Sequence, residues 1–556
     1  MTQLKLLPLL VAMLVIPSAC SGQVATQPVR PEPLSRPVSQ PPSRTAEGGC
    51  PTNSTAEGGC PTNSTAEGGS ATAATATQGA RAAATRPGEG SEQTQGLAVT
   101  HHEIRLGDKI LHYTATAGLL QVPGAEGNPD AEIFFIAYTL DGVEAGKRPL
   151  TFAFNGGPGA SSMYLHMGAM GPKRAELGQA GLTLPKTLTL IDNDDCWLDA
   201  TDMVFVDPVG TGYSRPANAS KAKDFFGLHA DTQSLGEFIR LYVTRWERWL
   251  SPKYLAGESY GATRAASLSG YLQRRFGMYL DGLVLVSSPL NFQLIQFAPG
   301  NDLPFALYLP TYTAAAHYHH KLPADLQADL AKALDESQRY ALNEYLRALA
   351  SGDKLDETQR KQVIARLARL TGLTEEVIAA DELRVSNSDF AHELLKKDNK
   401  TLGLYDDRVA GPNTDTNSVL DDPSLSLVIG PYSATIQEYI RQELGYRTNA
   451  PYVFLSGEIS RMWNWDSGQS GSLNVSPTLQ QAMVVNPNLR VLMAAGRYDL
   501  VTGYFMQQYT AEHLGLPKTF RAHLTVRLYD AGHQIYTDPP ARKQLHEDAR
   551  EFFEKR

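Results

Sequence analysis

Three residues far apart in the chain have the types needed for acyl-transfer chemistry, and each follows a short apolar run. Gly257-Glu258-Ser259-Tyr260-Gly261 comes after the run 254–256 and before a helical pattern that opens at Ala262. A serine on a sharp strand-to-helix turn needs small neighbours two positions either side, and such a turn pushes the hydroxyl out at the sheet edge as a nucleophile. A nucleophilic serine needs a base and a group that orients the base. The run 491–494 leads into Ala495-Gly496-Arg497-Tyr498-Asp499, and the run 524–528 leads into Tyr529-Asp530-Ala531-Gly532-His533. Asp530 and Asp538 are rival acids, but both lie close to His533 on its own loop. An orienting acid comes from a different strand, so Asp499 is preferred.

The order Ser…Asp…His, each after its own strand, is that of the α/β-hydrolases. Acyl transfer also needs donors for the developing oxyanion. The run 150–154 is followed by Asn155-Gly156-Gly157-Pro158-Gly159-Ala160-Ser161-Ser162, a glycine-rich turn that exposes backbone N–H groups. The second donor of such a site is the N–H after the nucleophile, here Tyr260. The loop lacks the G-K-[ST] ending of a phosphate cradle, which argues against nucleotide binding.

These positions require a sheet with helices on it. Stretches 102–106 and 110–116 alternate around Gly107-Asp108 and predict a hairpin. Further short apolar runs at 133–139, 150–154, 203–206, 254–256, 283–286, 491–494 and 524–528 predict buried strands. Helical patterns at 235–249, 262–276 and 541–553 intervene. That alternation predicts an α/β domain with a largely parallel central sheet flanked by helices. Residues 324–349 and 357–370 read as amphipathic helices. The stretch 292–484 is therefore expected to be a helical cap inserted into a catalytic core made of 97–291 and 485–556.

The chain has 556 residues, with 18 Phe, 5 Trp and 24 Tyr, and none of these aromatics precedes Tyr113. The first 95 residues balance their charges, so the excess of 59 acids over 50 bases, net -9, belongs to the remainder. An acidic body without a basic tract is repelled by phosphate backbones, which excludes nucleic acid as an expected partner. Residues 6–16 form an apolar run behind Lys5, too short to span a bilayer and suited to a signal peptide, expected over 1–20. The run ends in Pro17-Ser18-Ala19-Cys20, which resembles a bacterial lipobox, although Pro17 stands where an aliphatic is usual. Cys20 is thus the expected lipidation site and membrane attachment of an exported, periplasmic or cell-envelope protein. An ordinary secretory signal cut near Ala19 is the other reading. Residues 21–96 are Pro-, Thr-, Ala- and Gly-rich, with the decapeptide 45–54 repeated at 55–64, and are expected to be a disordered tether. Cys196 is the only cysteine of the body, so no internal disulfide is expected there.

Asn155 to Ser162, Asp207-Pro208-Val209-Gly210-Thr211-Gly212-Tyr213-Ser214, Gly257 to Gly261, Gly496 with Asp499, and Gly532-His533 together resemble the serine carboxypeptidase family. The likeness runs from about Ile133 to His533, and Trp197 also falls where that family has a tryptophan. It implies an α/β-hydrolase with an inserted cap that releases single residues from peptide C-termini. It also implies Gly157 and Tyr260 as the oxyanion donors, and Asn155 and Glu258 as binders of the substrate's free carboxylate, with Glu258 protonated. The family's third carboxylate-binding position falls at Ala169, which has no polar group. Ala160 replaces a usual cysteine, and Gln534 follows the histidine where apolar residues are common.

Peptides are the expected substrates, with no cofactor. His317, His319 and His320 splay apart on a helix without a flanking acid, so no metal is expected. Trp463 and Trp465 read as packing residues, with a place beside the acyl group as the alternative. Two other functions stay open: an esterase or acyltransferase on the same scaffold, and a non-catalytic envelope lipoprotein.

Overall fold

The computed structural model describes residues 96–124, 129–413, 421–465 and 471–555. The expected signal peptide, Cys20 and the tether lie outside the described residues. Nine strands build one sheet: β1 (Ala98–Leu106), β2 (Lys109–Pro123), β3 (Pro129–Leu140), β4 (Leu150–Phe154), β5 (Asp202–Val206), β6 (Lys253–Glu258), β7 (Gly282–Val286), β8 (Arg490–Gly496) and β9 (Leu524–Tyr529). Their spatial order is β1-β2-β3-β5-β4-β6-β7-β8-β9, and the two-residue strand Arg215–Pro216 adds to β3. The pairings β1–β2, β2–β3 and β3–β5 are antiparallel, and every pairing from β5 to β9 is parallel. The hairpin expected around Gly107-Asp108 joins β1 to β2, with Leu106 opposite Lys109 and Gly107 at φ 56°.

Side chains alternate across a strand, so each buried strand feeds two cores. On β3, Phe134, Ile136 and Tyr138 face one side while Ile133, Phe135 and Ala137 face the other. The same split places Met203 and Phe205 opposite Val204 and Val206 on β5. One face is covered by α1 (Leu228–Arg245) and α2 (Tyr260–Phe276), through Leu235, Phe238, Ile239, Ala262 and Ala265. The parallel strands β4 to β8 are buried on both faces, which is why they read in the sequence as apolar runs, whereas β9 at the sheet edge is only partly buried.

The insert between β7 and β8 is not uniform. Helices α3 (Leu303–Tyr318), α4 (Leu330–Tyr340) and α5 (Glu357–Thr371) gather around a core of their own that includes Phe305, Leu309, Tyr312, Leu367 and Phe390. That core also takes in Leu500 and Met506, which belong to the loop after β8 and to α7 (Tyr504–Glu512). By contrast, α6 (Pro423–Gln442) lies on the second face of the sheet, where its Tyr432, Ile436, Tyr439 and Ile440 share a core with Leu545 and Phe553 of α8 (Pro539–Glu554).

The helix expected over 324–349 is broken. Asp329 turns out of the helix direction and accepts from the Lys332 N–H as the cap of α4, ending the preceding turn at Gln327. Helix α1 starts at Leu228, before the first residue expected, and ends at Arg245. Beyond it Glu247 takes φ 53°, and buried Arg248 reaches Asp202 at 2.8 Å.

Candidate active site

Parallel strands leave their C-terminal ends in a row, and the candidate residues stand there. Glu258, Val286 and Ala494 are in register on β6, β7 and β8. Ser259 follows β6 with φ 57° and ψ -129°, a left-handed-side conformation that a non-glycine residue holds only under strain. Its N–H donates to the Val286 carbonyl at 2.9 Å. Three glycines make the turn possible. A Cβ on Gly257 would stand 2.2 Å from the Gly261 carbonyl oxygen, and one on Gly261 would stand 2.4 Å from that of Phe154. A Cβ on Gly156 would stand 2.5 Å from the Tyr260 nitrogen, so the loop after β4 lies directly against the N-terminus of α2. Ser259 is partly exposed, although Glu258 and Tyr260 beside it are buried.

His533 and Asp499 meet. The His533 Nδ1–H donates to Asp499 Oδ2 at 2.8 Å. Asp499 is fully buried and accepts three more bonds, from the Val501 N–H at 2.8 Å, the Thr502 N–H at 2.8 Å and the Thr502 hydroxyl at 2.6 Å. With Nδ1 committed, the imidazole presents Nε2, which is buried and has no hydrogen-bond partner in the protein. Burial pulls the His533 pKa down, but the charge and hydrogen bond of Asp499, with Glu258 nearby, outweigh it and leave the pKa raised. The rival acids are engaged elsewhere: Asp530 pairs with Arg497 at 2.6 Å, and Asp538 caps α8.

The glycine-rich loop is held at both ends. Asn155 Oδ1 accepts from the Leu165 N–H at 2.9 Å, and its backbone carbonyl accepts from the fully buried Arg264 at 2.6 Å. Arg264 in turn donates to Asp231 at 2.7 Å. At the far end, buried Asp207 accepts from the N–H and the hydroxyl of Ser162, both at 2.8 Å. Burial pushes the Asp207 carboxyl up to about 6, because these bonds only partly offset the loss of water. Between the two anchors Gly157 is exposed at φ 99°.

Glu258 is buried beside the serine, and Tyr536 donates to its Oε2. Burial raises its pKa to about 7, against the lowering influence of His533, Tyr536 and the Asn155 side chain. Ala169 is buried on the turn His166–Met170, where its side chain offers no polar group and its carbonyl accepts from Asn193 Nδ2 at 2.9 Å. Trp463 and Trp465 stand edge-on to the Tyr260 ring at 5.2 and 6.0 Å. Among the described residues no group of His, Cys, Asp and Glu is arranged to hold a metal, and His319 bonds the Asp407 carbonyl at 2.6 Å.

Sequence reasoning missed the loop 403–409, which comes from the insert and binds the loops after both β8 and β9. The His533 N–H donates to the Tyr405 carbonyl at 2.6 Å, the Leu500 N–H to that of Leu404 at 3.0 Å, and the Asp407 N–H to that of Tyr498 at 3.0 Å. Buried Arg408 chelates Asp406 at 2.9 and 2.7 Å, and also bonds the Asp530 carbonyl and Asp538. Removing one partner of such a network strands the other as a buried charge. Arg408→Ala is expected to cost about 3–5 kcal/mol. Denaturant unfolding checks this, and an unchanged midpoint would contradict the role given to Arg408.

The serine carboxypeptidase family model matches residues 107–285. The pheromone-processing carboxypeptidase KEX1 of Phaeosphaeria nodorum is 27% identical over 265 residues, 46% of this chain and 36% of that protein. KEX1 of Cryptococcus gattii is 31% identical over 182 residues, covering 32% of this chain and 24% of the relative. The chain thus spans about a third or less of the length of these two curated relatives. Serine carboxypeptidase-like 36 of Arabidopsis thaliana is 22% identical over 437 residues, 74% of this chain and 78% of the relative. The crystal structure of a Saccharomyces cerevisiae prohormone-processing carboxypeptidase, KEX1(DELTA)P, superposes with a TM-score of 0.50 at 18% identity, covering 78% of this chain and 91% of that one. That likeness extends the fold beyond the segment matched by the family model. The serine turn lies inside the segment matched by the serine carboxypeptidase family model, and over that segment the chain is similar to that family.

Proposed function

We propose that this protein removes C-terminal residues from peptides through an acyl-enzyme on Ser259. The observation that carries the reading is the His533 ring: Nδ1–H is fixed on Asp499, and the other nitrogen is buried without a partner. In this reading Nε2 takes the proton of the Ser259 hydroxyl as the oxygen attacks the last peptide carbonyl. The N–H groups of Gly157 and Tyr260 hold the oxyanion. His533 then gives the proton to the departing amine, and water repeats the sequence to free the shortened peptide. Digestion of a mixed peptide library, read by mass spectrometry, tests the reading. Loss of residues from the C-terminus supports it, and intact peptides or internal cuts contradict it.

Asn155 and Glu258 are the proposed carboxylate binders, with Glu258 donating while protonated. Its pKa near 7 then sets a limb in the pH profile. Above that value Glu258 loses its proton and repels the substrate carboxylate, so kcat/KM on free-acid peptides should fall about tenfold per pH unit. The same peptides with amidated C-termini should lack this limb. Steady-state profiles of the two series are the check, and equal profiles count against the role of Glu258.

The methyl group at Ala169 favours a second reading, an esterase or acyltransferase, which predicts turnover of small esters with little amino acid released. A non-catalytic envelope protein would fail to label with a fluorophosphonate. Residues 292–484 serve as the proposed cap. Export with lipidation at Cys20 is proposed on the sequence signal alone, and the mass of the mature N-terminus tests it. Among the described residues no helix is long and apolar enough to cross a membrane.

A further inference from the structure

Around Glu258 the protein has more buried hydrogen-bond donors than it uses. Asn155 has spent its side-chain oxygen on Leu165, and its buried Nδ2 faces Glu258, whose pKa it lowers. The hydroxyls of Tyr164 and Tyr432 are buried without a partner, and their rings meet edge to face at 5.9 Å. The two tyrosines come from different parts of the chain: Tyr164 from the short helix Met163–Leu165 after the glycine-rich loop, and Tyr432 from α6 of the insert. Both feel the charge of Glu258. A Cβ on Gly168 would stand 2.6 Å from the Tyr432 hydroxyl and 2.4 Å from the Tyr536 ring. Tyr432 Oη therefore lies on the turn that carries Ala169, next to the tyrosine that bonds Glu258.

Buried polar groups left unpaired are unfavourable and are rare in native proteins. Two unpaired hydroxyls from different segments, near a carboxyl that Asn155 and Tyr536 already face, describe a receptor for an anionic acceptor. Arg174 and Arg542 add positive potential at the Tyr432 hydroxyl. Burial above all pushes both phenols upward, helped by Tyr405 and Glu258 at Tyr164 and by Glu258 at Tyr432, so they stay protonated donors.

We propose that the hydroxyls of Tyr164 and Tyr432 donate hydrogen bonds to the C-terminal carboxylate of the substrate, beside Asn155 and Glu258. The assignment rests on the carboxypeptidase reading and adds the residues that read the free carboxylate where Ala169 offers nothing. A phenol donates without titrating, so Glu258 is the one member of the clamp whose proton is lost near neutral pH.

The test uses Tyr164→Phe, Tyr432→Phe and the double variant, which keep the rings and remove only the oxygen. Each is assayed on a peptide with a free C-terminus and on the same peptide amidated, with a thermal melt of each variant as a folding control. A hydrogen bond to a charged group supports a drop in kcat/KM on the free acid of about tenfold or more per hydroxyl, carried mainly by KM. The amidated peptide should change by less than about twofold. If the wild type shortens the free-acid peptide but the variants keep the same acid-to-amide ratio, the tyrosine clamp is wrong and the carboxypeptidase reading stands. If the wild type leaves the free-acid peptide intact, the reading falls and takes the clamp with it.

Discussion

Replacing Ser259 by alanine is expected to lower kcat on peptides by about 10⁶ while leaving the melting temperature unchanged. The first half follows from the role proposed for the hydroxyl: without Oγ no acyl-enzyme forms. Catalysis then falls back to what the oxyanion donors and substrate binding supply alone, a residual of about 10³–10⁴ over water. The second half follows from the backbone. Alanine and serine are similarly strained at φ 57°, so the substitution neither relieves nor adds strain at the turn. The hydroxyl makes no bond that the strand depends on, since the anchoring contact is the Ser259 N–H to Val286. Activity within tenfold of wild type, measured on a preparation free of other peptidases, would remove Ser259 from the mechanism.

Asp499→Asn should lower kcat by about 10⁴ with little change in fold. The reason lies in which oxygen does what. Oδ1 accepts from two backbone N–H groups, at Val501 and Thr502, and an amide oxygen can keep both bonds. The amide NH₂ then falls where Oδ2 stood, facing His533 Nδ1. Two donors cannot share that bond, so the imidazole moves its proton to Nε2 and loses the lone pair needed to accept from Ser259. Thr502 cannot rescue the geometry, because its hydroxyl also donates towards Oδ2. The variant should unfold at nearly the wild-type denaturant concentration while its single-turnover rate collapses. A rate reduced less than tenfold would mean that Asp499 does not set the tautomer.

What could be read from the sequence was local, or was repeated strand by strand. The Ser259 turn is written in glycines whose missing side chains are required within five residues. The strands β4 to β8 are apolar runs because both faces are covered, while the edge strand β9 is only partly buried; Asp499 follows β8 and His533 follows β9. Two of the larger helices were not legible. Thirteen of the sixteen residues of α3 are buried, so no polar face marks a helical period, and Pro310 lies inside it. Helix α6 likewise carries Pro431 within its span. Contacts made across long separations were hidden altogether. Nothing near Arg408 in sequence points to Asp538, and nothing near Tyr405 points to His533. Tyr164 and Tyr432 read as ordinary apolar bulk, and only the fold reveals that their hydroxyls are left unpaired beside Glu258.

The loop 403–409 has a consequence for how this scaffold can change. An insert between two sheet strands invites exchange as one cassette, since its entry and exit both lie on the sheet. Here the cassette would carry away the carbonyl of Tyr405 that receives the His533 N–H, and the carbonyl of Leu404 that receives Leu500. It would also remove Arg408, which ties the segment to Asp538. A graft bounded at Leu303 and Leu395 leaves those bonds in place, whereas one that runs on through Pro412 detaches the histidine loop from its support. New specificity can be borrowed helix by helix from a relative, but the loop 403–409 is inherited together with the histidine.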